Sequence, residues 1–127
     1  MKNNFKIDSN YPNGISDADV VVMVPKMISS KQELLDAFEH GLNFPNYFGK
    51  NWDAFEECIN DLSWLEKRKV VIIHEDVPDR LPKKDLNIYL EILQDAVAGW
   101  RNKPGKHELE VVFPRDPFAK KNPPASS

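Results

Sequence analysis

Asp53, Glu56, Glu57 and Asp61 fall at positions i, i+3, i+4 and i+8 with no lysine or arginine among them. Advancing about 100° per residue along a helix puts these carboxylates on one face, with Asn60 between them. Trp52, Phe55, Cys58, Ile59 and Leu62 then share the opposite face. A row of acids on one helix face presents concentrated negative charge to a cationic surface. It also strains the helix, by a few tenths of a kcal/mol for each like-charged i,i+3 or i,i+4 pair. Asp53 gains from the positive end of the helix dipole, whereas Asp61 sits at the negative end. From charge alone, such a face reads most simply as solvated. Two features point to a partner instead: the missing basic residues, and a preceding loop that holds Tyr47 and Phe48 between Pro45 and Gly49. An amphipathic tyrosine in an exposed loop suits an interface.

Chemistry of other kinds finds little material. Cys58 falls on the apolar face and reads as a small buried hydrophobe rather than a reactive thiol. His40, His74 and His107 are scattered, with no metal-ligand spacing among them or with Cys58. His74 ends a strand, where catalytic groups do occur in parallel sheets, but no nucleophile, base and orienter can be assembled around it. The five glycines form no phosphate-binding loop. The expectation is a protein that is not an enzyme, with no catalytic residue, no metal and no cofactor.

The elements that must position the acidic face are legible around it. Asn51 is a good N-cap for a helix over residues 52–62. Ser30 and Glu33 have capping-box spacing and open an earlier helix that buries Leu34, Leu35 and Phe38, with Gly41 as its stop. Residues 18–24 are a β-branched apolar run, expected to be a strand buried on both faces. Residues 69–74 and 108–113 are two further strands. Between them a long helix over residues 83–100 aligns Leu86, Tyr89, Leu90, Leu93 and Val97. The alternation at Phe5 and Ile7 is too brief to define a strand. The order β-α-α-β-α-β separates sequential strands by helices, which makes the sheet parallel. The predicted fold is α/β, with helices packed on a three-stranded parallel sheet.

Length and composition bound the rest. A chain of 127 residues forms one domain, and 41% hydrophobic with 29% charged residues is the balance of a folded one. The expected divisions are an N-terminal arm over residues 1–17, the domain over 18–113 and a disordered Pro-rich tail over 114–127. A net charge of −3 argues against a nucleic-acid-binding footprint. The single cysteine excludes an internal disulfide. No apolar run reaches the roughly 18 residues of a membrane span, and the first residues lack a signal-peptide core. A monomeric cytoplasmic protein without membrane contact is expected.

The run FPNYFGKNWDAFEECI at residues 44–59 resembles the barstar family of intracellular ribonuclease inhibitors. That family's central pattern is Pro-x-Tyr-aromatic-Gly-x-Asn-large apolar-Asp-Ala-large apolar, then an acid, a cysteine and an aliphatic residue. Loop, cap, apolar register and acidic register all agree here, and looser agreement extends over residues 20–113. The resemblance implies a loop and helix that plug the cationic active site of a microbial ribonuclease. Tyr47 would sit on the nuclease's catalytic histidine, while Asp53 and Glu57 engage the cations that otherwise hold substrate phosphate. Asn51 would cap the helix beside the interface, and Asp95 on the long helix would add an acidic contact. Three features depart from barstar: Glu57 stands where it has aspartate, Glu56 replaces a tryptophan, and a short insertion follows the helix. Asn60, Asp61 and Trp64 border that insertion, with Trp64 a candidate rim aromatic. The implied partner is a ribonuclease or an RNase-domain toxin, the latter making the chain an immunity protein. The alternative is a regulatory module of the same fold whose acidic face docks a basic protein other than a nuclease.

Overall fold

The computed structural model describes residues 4–8, 20–45, 51–66, 69–103 and 105–118. Its elements are β1 (Lys6–Ile7), β2 (Val20–Val24), α1 (Lys31–Gly41), α2 (Trp52–Asp61), β3 (Lys69–His74), α3 (Lys83–Arg101) and β4 (Glu108–Phe113). All ladders are parallel, in the spatial order β1-β4-β3-β2. The order β-α-α-β-α-β is present from β2 onward. The sheet is one strand larger than the three expected, because β1 pairs Lys6 with Val112 and Ile7 with Phe113. Phe5, just before it, is buried and tilts against Phe113 at 5.1 Å. A two-residue strand has no periodicity to read, and its partner lies at the other end of the chain.

The strands differ in position more than in composition. β3 is central and buried along Val70–His74. β2 lies at the sheet edge, and its Met23 is exposed, so it is not buried on both faces as its apolar run suggests. Both runs are β-branched, and only the neighbours decide which is covered.

The helices share one side of the sheet. Val22, Val24, Val70, Ile72, Leu109, Val111 and Phe113 form a common core with Leu34, Phe38, Phe55, Ile59, Tyr89 and Leu93. Val71, Ile73, Val112 and Val21 cluster on the opposite face. The helix α1 rests on β2, α3 on β4, and α2 against α3.

The start of α1 follows the expected capping chemistry with one shift. Ser30 Oγ accepts from the Glu33 amide at 3.2 Å, while Glu33 Oε1 accepts from the Ser29 amide at 3.1 Å and from the Ser29 and Ser30 hydroxyls at 3.1 and 3.2 Å. Those donors, the Ser29 amide foremost, hold the Glu33 carboxyl below its usual range. The stop of α1 is different from the one expected. Gly41 remains helical, and Asn43 takes the left-handed conformation at φ 53°. The Phe44 amide then bonds the Glu39 carbonyl at 3.1 Å, the six-to-one closure of a Schellman motif. Gly41 serves close packing instead, since an added Cβ would lie 2.9 Å from Val22 Cγ1.

The first residues of the Pro-rich tail are docked. Arg115 pairs with Asp79 at 2.9 Å and Asp76 at 3.3 Å, and Phe118 stacks on Phe5.

Candidate functional site

Asn51 begins the site. Its backbone is extended (φ −135°, ψ 171°) and its side-chain oxygen accepts from the Ala54 amide at 2.8 Å, so α2 starts where the sequence indicates. Phe55, Cys58, Ile59 and Leu62 are then driven into the core. Phe55 meets Phe38 edge-on at 4.8 Å and lies within 6.0 Å of Tyr89. This anchoring fixes the rotation of the helix and turns Asp53, Glu56, Glu57, Asn60 and Asp61 outward, all exposed.

Among the described residues, the ion pairs lie elsewhere, at Lys69–Glu108 and at Arg115 with Asp76 and Asp79. None of Asp53, Glu56, Glu57 and Asp61 has a cationic partner among those residues. The field of these acids reaches the core: burial chiefly, then Glu57 and Asp61, push the Cys58 thiol up. A buried thiol held in its protonated form is a packing group, not a nucleophile. The last turn has no basic residue, and its chain end closes with Leu62 in the left-handed region at φ 52°.

Neighbouring elements hold the other expected site residues. Asn60 uses its Nδ2 on the Glu56 carbonyl at 2.8 Å and faces α3 at Gly99, where an added Cβ would stand 3.9 Å from its Oδ1. Asp95 is exposed on α3. It lines a groove with Asn4, Asn87, Glu91, Gln94 and Phe118, none of them on α2. Trp64 is half-buried, donates its indole N–H to the Leu42 carbonyl at 2.9 Å and stands edge-on to Phe44 at 5.8 Å. It is tied to the end of α1 more closely than a free rim aromatic would be. Tyr47 lies outside the described residues, as does the rest of its loop over residues 46–50.

Two contacts escape sequence reading. Trp52 Nε1 donates to Asp85 Oδ1 at 3.1 Å, and Trp100 Nε1 donates to the Ile59 carbonyl at 3.0 Å. Together they set α2 alongside α3, start to start and end to end. Asp85 reads in sequence as a favourable charge in the first turn of α3, and nothing local links it to Trp52.

His74, at the end of β3, is buried, and both ring nitrogens are engaged. The Val112 carbonyl can only accept, so Nδ1 carries the proton and Nε2 accepts from the Tyr89 hydroxyl. Burial lowers its pKa to about 3 and raises that of Tyr89. Among the described residues no group of acids, histidines and cysteine could hold a metal ion, and no helix is long and apolar enough to cross a membrane.

A search of curated proteins found no match. The sequence profile described as Barstar (barnase inhibitor) matches residues 18–113, which take in every helix and the strands β2, β3 and β4. With that match over most of its length, the chain belongs to the barstar family.

Proposed function

We propose that this chain is a protein inhibitor that plugs the cationic active site of a ribonuclease with the outward face of α2. It serves in this reading as an immunity protein against an RNase-domain toxin, acting as a monomer in the cytoplasm. The observation that carries the proposal is the row Asp53, Glu56, Glu57 and Asp61, exposed and without ion pairs among the described residues, on a helix whose other face is locked into the core. An active site built to hold the phosphates of RNA is cationic, and a fixed row of carboxylates is complementary to it. Opposed charge speeds encounter and selects partners, and close central pairs can add net affinity, a generalisation drawn in part from barnase–barstar itself.

In this reading Asp53 and Glu57, one turn apart, pair with the phosphate-binding cations. Tyr47 covers the catalytic histidine from the preceding loop, and Asn51 holds the start of the helix. Asn60, Asp61, Trp64 and Asp95 surround that centre. The longer Glu57 side chain and Glu56 in place of tryptophan shape the preference among nucleases.

Barnase provides the direct test. Its RNA cleavage should fall in proportion to added chain until one equivalent is bound, and the Asp53→Ala, Glu57→Ala double variant should lose that inhibition. A folded chain that leaves both barnase and a panel of RNase-domain toxins active at large molar excess would overturn the proposal.

A further inference from the structure

The chain has three tryptophans, and each indole N–H links α2 or the turn that leaves it to another helix. Trp52, the first residue of α2, donates to Asp85 in the first turn of α3 at 3.1 Å. Trp100, near the end of α3, donates to the Ile59 carbonyl at 3.0 Å. Trp64, just past α2, donates to the Leu42 carbonyl at the end of α1 at 2.9 Å. The helix is thereby tied at its start, its last turn and its exit to two different helices.

This helix needs such ties. Its ten residues are too few for an isolated helix to be stable in water. Its outward acids repel one another, and Asp61 faces the negative end of the dipole without a basic residue in the last turn. Ile59 contributes one of the last four carbonyls, which have no partner within the helix. The Trp100 indole supplies that partner and places a partial positive charge where the helix is most electronegative.

We propose that Trp52 with Asp85, Trp100 and Trp64 are positioning residues that keep the carboxylate face of α2 formed before any partner arrives. The role rests on the inhibitor reading above. Association then needs no ordering of the helix, a cost that otherwise subtracts from affinity. The clamp also explains why a face with unfavourable internal charge stays helical along its full length.

The test uses the full chain and separates the bond at Asp85 from its charge. Asp85→Leu removes the acceptor, while Asp85→Asn loses the same charge but keeps an acceptor oxygen. Amide hydrogen exchange of α2 in the free protein is read against β3 in the same sample. Asp85→Leu and Trp100→Phe should each speed α2 exchange about five- to tenfold relative to β3, as loss of one hydrogen bond implies. Asp85→Asn should remain within about twofold of the parent. Barnase binding should weaken more in Asp85→Leu than in Asp85→Asn. Exchange that rises equally in β3, or does not rise at all, overturns the clamp. So does equal binding by the two Asp85 variants. If the parent chain does not bind barnase, that target is excluded, and the exchange rates alone decide the clamp.

Discussion

The His74 imidazole lies flat on the Phe113 ring, with centroids 3.8 Å apart and planes 13° from parallel. One ring edge bonds the Val112 carbonyl and the other receives the Tyr89 hydroxyl, so this histidine ties β3, β4 and α3 together in its neutral form. Charging it would place an imidazolium in the core, and burial accordingly lowers its pKa from 6.5 to about 3. The unfolded chain therefore takes up this proton first as the pH falls. The stabilisation is complete above about pH 6.5 and is lost progressively toward pH 3. From this residue alone, stability should be about 2 kcal/mol lower near pH 5 than near pH 7. Urea midpoints across that range check it. In His74→Gln, less stable overall, the slope should flatten, and an unchanged slope would assign the acid sensitivity to other groups.

Two glycines should respond oppositely to alanine. At Gly41 the new Cβ would stand 2.9 Å from Val22 Cγ1 and 3.0 Å from Cγ2, on a stiff β-branched side chain fixed in the core. Gly41→Ala should destabilise by about 1–3 kcal/mol despite its better helix propensity. At Gly99 the nearest atom to a new Cβ is Asn60 Oδ1 at 3.9 Å, an ordinary contact. Gly99→Ala should gain up to about 1 kcal/mol from propensity alone. Thermal or denaturant midpoints compare the pair directly, and a stable Gly41→Ala protein would mean that α1 can lift from β2 at little cost.

The opposite faces of α2 should separate stability from binding. Cys58 is 3% exposed, and Cys58→Ala should cost on the order of 1 kcal/mol of stability with little change in affinity. Glu57→Ala relieves repulsion with Asp53 and Asp61 on the same face, so its fold should hold or gain by a few tenths of a kcal/mol while binding falls. Parallel denaturation and calorimetric titration against barnase would measure both. Loss of binding in Cys58→Ala with an unchanged midpoint would reverse the assignment of the two faces.

The parts of this protein that could be read from sequence are those whose causes are local. The N-cap at Asn51, the apolar register from Phe55 to Leu62 and the opposing acids all arise within one or two helical turns, and together they carry the family resemblance. Causes distant in the chain left weaker marks. Lys6 and Ile7 become a strand only because Val112 and Phe113 offer an open edge. The runs of β2 and β3 are alike in residue type, and their places at the edge and centre of the sheet depend on which neighbours pair with them. Gly41 reads as a helix stop because glycine often is one, yet its role is contact with Val22, while Asn43 makes the turn. The pairing of Trp52 with Asp85 spans 33 residues and follows no periodicity.

The last prediction concerns the centre of the acidic face. Asp53 and Glu57 are separated by one turn on α2, both exposed, with Asn51 fixing the start of that turn. Central positions that become desolvated are where truncation to alanine typically costs about 2 kcal/mol or more. Removing either acid would leave a cation of the nuclease buried and unpaired, so the loss should appear mainly as faster dissociation. Glu56 lies off the line joining the two and should matter less, with Asp95 between them. Association of the parent should slow steeply with added salt, because exposed complementary charges are screened over about 10 Å at 0.1 M. Stopped-flow and dissociation measurements on Asp53→Ala, Glu56→Ala, Glu57→Ala and Asp95→Ala with barnase, at low and moderate ionic strength, test these expectations together. A larger loss for Glu56→Ala than for Glu57→Ala would mean the helix presents itself rotated relative to the barstar register. Association that is flat with salt would mean the acidic row does not steer encounter, leaving any affinity to contacts outside α2.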